Sequence, residues 1–173
     1  MKGSLIFAAQ AHNEVEKVKM NEVWFLILQS IEKHCIDTSD LNGCIVVAII
    51  LSFAAILTHI PSTSDMTLLN PQAEDQNMQA KMNEVAILFH QHQNYFLSES
   101  TTWVISAVYE GMIALSNQKV IIEEKLQQMR LISANIIYIV KRVGEPCSSA
   151  HNTVFVDAQE ESSIVYVNDW RVN

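Results

Sequence analysis

Apolar residues recur at near-helical intervals at the start of the chain, as Val15, Val18, Val23, Leu26, Ile27 and Ile31, with Glu14, Glu16, Lys17 and Glu22 crowding the first turns. The spacing predicts a helix over 13–35. Its middle, Val23-Trp24-Phe25-Leu26-Ile27-Leu28, is apolar on every side and implies deep burial or a subunit contact. Asp37-Thr38-Ser39-Asp40 offers helix-capping oxygens, and a second helix is expected over 41–60. Pro61 and the polar residues behind it end that segment.

The same plan recurs. Lys19-Met20-Asn21-Glu22-Val23 is repeated as Lys81-Met82-Asn83-Glu84-Val85, and Gln10-Ala11 and Gln29 are answered at the same offset by Gln72-Ala73 and Gln91. This predicts an internal duplication, with repeat 1 over 10–60 and repeat 2 over 72–143. A third helix is expected over 72–97. A long fourth one over 103–142 carries Ile122, Leu126, Met129, Ile132, Ile136, Ile139, Val140 and Val143 as its stripe, interrupted at Gly111 or Ser116-Asn117 if anywhere. After Gly144 and Pro146, Thr153-Val154-Phe155-Val156-Asp157 and Ile164-Val165-Tyr166-Val167 read as a β-hairpin. The fold class expected from the pattern is mainly α: an up-down bundle of two duplicated helical hairpins over 13–143, preceded by a segment 1–12. The hairpin tail over 144–173 packs on the bundle or on a partner.

Composition narrows the function. The chain has 173 residues, enough for one domain with a sizeable core. It has 49% hydrophobic residues, only 4 Gly and 3 Pro, and a net charge of −8. That acidity argues against nucleic acid as a partner, because such affinity comes largely from cations that replace counterions. The basic residues Lys119, Lys125, Arg130, Lys141 and Arg142 are read as a solvated face. Lys2 before Leu5-Ile6-Phe7 is too weak for a signal peptide, so the expected location is the cytoplasm or an exported state reached without one.

Candidate chemistry is sparse. His90 and His92 stand two apart and point to different sides of a helix, no Glu-x-x-His or His-Glu-x-x-His motif occurs, and no cofactor or metal is expected. Asn21-Glu22 and Asn83-Glu84 are read as register or surface residues. Cys35, Cys44 and Cys147 make an odd set without a Cys-x-x-Cys pair; Cys35 and Cys44 flank a turn and could form one disulfide in an oxidising compartment. The expected function is non-enzymatic: contacts with itself or another protein through Trp24, Phe25, Ile49, Leu51, Phe53 and Trp103. One alternative is a membrane-inserting helix, a pore former or translocator using 41–60. The least supported alternative is a thiol enzyme built on Cys147 and His151.

Overall fold

The computed structural model describes residues 15–28, 34–51, 53–61, 70, 72–96, 100–140, 152–158 and 163–172. Among these, two sheets and two helices stack in three layers. Sheet A is ordered β1 (Val15–Lys17), β3 (Cys35–Thr38), β9 (Val154–Asp157), β10 (Ile164–Val167) and β11 (Trp170–Arg171). Sheet B is ordered β2 (Val23–Ile27), β5 (Ala54–Ile60), β4 (Ile45–Leu51) and β6 (Thr101–Tyr109), with β7 (Met112–Ile113) and β8 (Ser133–Ile139) both paired to β6. The helices are α1 (Ala73–Gln91) and α2 (Ser116–Gln128).

This overturns the all-helical bundle and its duplicated hairpins. The reason is visible in β4 and β5. One face of β4, with Val46, Ala48 and Ile50, packs on sheet A, while the other, with Ile45, Val47 and Ile49, packs under the helices. A strand covered on both faces loses the alternation that identifies strands and becomes a continuous apolar run, which periodicity cannot tell from a buried helix. Segment 41–60 is therefore a loop and a strand pair, from Ile45 opposite Ile60 to Leu51 opposite Ala54. Among the described residues no helix is long and apolar enough to cross a membrane.

The repeated pentapeptide takes two different conformations. At Lys19 to Val23 it forms a turn with Asn21 at φ 65° and enters β2, whereas Lys81 to Val85 lies inside α1. Five residues do not fix their own secondary structure when packing selects otherwise. In α1 the residues Met78, Met82 and Val85 are buried against sheet B, and Ile122 and Leu126 in α2, with Met129 at its C-cap, do the same. The predicted first helix is replaced by β1 and β2, and the fourth by β6, β7, α2 and β8. The β6–β7 turn carries Glu110 at φ 50° and Gly111 at φ 82°, the two left-handed positions of a tight hairpin. Downstream, β9 and β10 pair antiparallel from Asp157 opposite Ile164 to Val154 opposite Val167, and β9 also pairs with β3. β9 and β10 thus belong to the five-stranded sheet A.

Candidate functional site

Thr38 ends β3 and His59 lies one residue from the end of β5, so the two meet across the gap between the sheets. Thr38 Oγ1 and His59 Nδ1 are 2.8 Å apart, and both residues are buried, His59 to 1% exposure. The backbone of His59 is clamped from the β1–β2 turn: its N–H donates to the Glu22 carbonyl at 3.2 Å and its carbonyl accepts from Asn21 N–H at 2.7 Å. The Thr58 hydroxyl adds a 3.0 Å bond to the same Glu22 carbonyl. Among the described residues, His59 Nε2 has no hydrogen-bond partner although it is buried. Buried polar atoms are rarely left so, because each costs about 1–3 kcal/mol.

Sheet register places a thiol on the same face of the sheet as the His59 side chain. Val46 pairs with His59, so Cys44, two residues before Val46, projects to the same face and sits diagonal to His59. Diagonal neighbours in an antiparallel pair have Cα atoms about 7–8 Å apart, with side chains closer. Cys44 is buried among Val46, Ala48 and Leu57 on the face that meets sheet A. The loop joining Thr38 to Cys44 turns through Asp40 at φ 63° and Gly43 at φ 81°. It is held by Leu41 N–H donating to the Asn152 carbonyl at 3.1 Å.

Burial sets the charge state. Loss of hydration pushes His59 down from 6.5 to about 4, with the Asp40 carboxylate pulling weakly the other way, so the imidazole is neutral at pH 7. In the tautomer whose Nδ1–H donates to Thr38 Oγ1, Nε2 carries a lone pair. A cavity of about 310 Å³ is lined by Lys17, Val18, Lys19, Met20, Ser39, Asp40 and His59, and Cys44 is not part of its lining. Thr38 thus fixes one nitrogen of a neutral imidazole whose other nitrogen has no partner, on the sheet face that also carries the Cys44 thiol.

The residues expected to make contacts do not form one patch. Phe25 stacks on His92 with ring centroids 3.7 Å apart, and Ile49 and Leu51 belong to the same helix-side core. Trp103 packs on the opposite face of the sheet. Trp24, on the edge strand β2, and Phe53, in the β4–β5 turn, are exposed. His90 is exposed beside Phe89, and no cluster of three metal-ligating side chains occurs among the described residues. Asn83 and Glu84 are on the exposed side of α1, away from the Asn21-Glu22 turn that clamps His59. Cys35 and Cys44 form no disulfide: Cys35 packs with Phe155 on the far face of sheet A. Cys147 and His151 lie outside the described residues.

A cap at 37–40 and a helix over 41–60, as the sequence pattern predicts, leave Thr38, Cys44 and His59 unrelated. Read as strands, Cys44 and His59 fall at the two open ends of one hairpin, the signal that would have joined them. No protein-family model and no curated protein matches the chain.

Proposed function

We propose that the chain is a thiol-dependent acyl-transfer enzyme, with Cys44 as nucleophile, His59 as general base and then acid, and Thr38 as the group that orients His59. The observation that carries the reading is the buried, unpartnered Nε2 of a neutral imidazole fixed through its other nitrogen to Thr38 and placed diagonal to a thiol. His59 accepts the Cys44 proton as sulfur attacks an acyl carbon, which gives a thioester. The leaving group departs with the proton held on Nε2. Water then cleaves the thioester, releasing a carboxylic acid and restoring the thiol. The Cys44 thiol points to the Asn42 carbonyl at 3.9 Å, so the reading requires that substrate binding turn it toward His59.

p-Nitrophenyl acetate tests the reading without knowledge of the natural substrate. A stoichiometric burst of nitrophenolate, an acetyl group mapped to the Cys44 peptide and loss of both in Cys44→Ala and His59→Gln are the expected results. Acetylation elsewhere, or none while the fold is intact, contradicts it. Self-association is a second reading, supported by edge strand β8, which has no charged residue and exposes Ile137 and Ile139. A monomeric mass at high concentration, with and without detergent, argues against that reading.

A further inference from the structure

Cys44, Ala107 and Tyr138 stand in one row across sheet B. Ile45 pairs with Ser106, which sets Cys44 opposite Ala107, and Ala107 pairs in turn with Tyr138 on β8. All three residues belong to the core that faces sheet A. Neighbouring strands are about 4.8 Å apart, so about 10 Å separates β4 from β8 along this row. The methyl side chain of Ala107 leaves the middle of the row low, and Tyr138 lies across it. The Tyr138 hydroxyl donates to the Cys44 carbonyl at 2.9 Å, fully buried. This is a bond over 94 positions of sequence, from an otherwise exposed edge strand to the residue that carries the thiol.

A tyrosine kept only for packing needs no hydroxyl in an apolar core, because phenylalanine fills the same volume without a buried polar atom to satisfy. The bonded carbonyl is also particular. It belongs to the residue that leaves the Asp40 to Gly43 loop and enters β4, so it sets the direction in which the Cys44 side chain starts. The loop is already pinned at Leu41 by Asn152, and Tyr138 supplies the second pin at its other end. Burial first, and then the nearby Cys44 group, push the Tyr138 hydroxyl well above its ordinary range, while the Gly43 and Cys44 backbone groups moderate the rise. The phenol therefore remains a donor throughout the pH range in which a thiol ionises.

We infer that Tyr138 is a positioning residue for the Cys44 nucleophile, acting through the backbone of residue 44 from the far side of the sheet. The inference rests on the thiol-enzyme reading, and it adds that the nucleophile is aimed by β8 and not by the loop alone. Its chemical role is orientation, without proton transfer to substrate.

The test is the rate of Cys44 acetylation by p-nitrophenyl acetate as a function of pH in the full chain, with the wild type, Tyr138→Phe and Ile136→Val compared. Ile136 lies on the same strand and packs against the same core, so its truncation reports packing loss with the hydroxyl kept. Removing a positioning bond is expected to slow acetylation about 10- to 100-fold, since small misplacements of a reacting group cost this much. It is also expected to move the apparent pKa of the reaction up toward that of an ordinary thiol, because a misaimed thiol passes its proton less readily to His59. Ile136→Val should keep the wild-type profile. Tyr138→Phe with the wild-type rate and profile overturns the inference and leaves the thiol-enzyme reading standing. So does a Tyr138→Phe loss matched by Ile136→Val with no movement of the profile, which marks a packing role. A wild type with no acetylation at Cys44 overturns both. Should Tyr138→Phe fail to fold, Ala107→Val displaces the ring while keeping the hydroxyl, and an unchanged profile there overturns the inference.

Discussion

The charge state of His59 makes a quantitative prediction about stability against pH. Its pKa is 6.5 in the unfolded chain and about 4 in the folded one. The folded state therefore prefers the neutral ring, and the unfolded state binds the extra proton first. Stability from this group is fully present above pH 6.5 and is lost as pH falls, by roughly 1.4 kcal/mol per unit down to about pH 4. At pH 5 the loss is about 2 kcal/mol, and below pH 4 it levels at about 3 kcal/mol. Urea unfolding followed by tryptophan fluorescence, compared between wild type and His59→Gln, isolates it. The other histidines and the carboxylates titrate alike in both chains and cancel in the difference. Between about pH 7.5 and pH 5 the wild-type midpoint should fall about 1 M urea further than that of the variant, for a slope near 2 kcal/mol per molar. Equal falls in the two proteins would refute the burial argument. A larger fall in the variant would reverse its sign.

Other consequences can be checked together. Thr38→Val leaves the His59 ring with both nitrogens unsatisfied, so urea melts should show a loss of about 1–3 kcal/mol and p-nitrophenyl acetate turnover should fall with it. Met82→Ala opens a cavity between α1 and sheet B at a fully buried position, for a calorimetric loss of about 2–5 kcal/mol and no change in Cys44 chemistry. Arg130 is exposed at φ 61°, so Arg130→Gly relieves left-handed strain and should raise the melting midpoint by the equivalent of about 0.5–1 kcal/mol. If self-association proceeds through the β8 edge, Ile137→Lys shifts the sedimentation profile toward monomer, whereas an unchanged profile excludes that edge.

The parts of this fold that sequence patterns reveal are those covered on one face. Met78, Met82 and Val85 in α1, and Ile122 and Leu126 in α2 with Met129 at its C-cap, show helical spacing because only one side of each helix is buried. Residues 154–157 and 164–167 are rich in β-branched and aromatic side chains and lie where β9 and β10 run. Central strands β4 and β5 are different: burial on both sides erased their period, and only the density of Ile and Val pointed to strand. The end of α2 was hidden for another reason. Arg130 N–H bonds to Gln127 and Leu131 N–H to Leu126, a helix stop in which arginine occupies the left-handed position usually held by glycine. Without a glycine to mark it, the stop was invisible, and the stripe through Ile132 and Ile136 read as more helix, although Ile132 is 92% exposed.

The candidate site was hidden with the strands. Thr38 looked like a helix cap, Cys44 like a core thiol and His59 like the frayed end of a helix, and no local motif joins them. Their relation arises only from β4–β5 register and from the approach of β3 across the sheet gap.

Competition among the three cysteines tests the central claim most directly. The folded chain is treated at neutral pH with less than one equivalent of iodoacetamide, and the labelled peptide is identified by mass spectrometry. Cys44, although 3% exposed, should react before Cys35 and Cys147, and should lose that priority in His59→Gln. Labelling of Cys147 or Cys35 with Cys44 inert until denaturant is added would contradict the account.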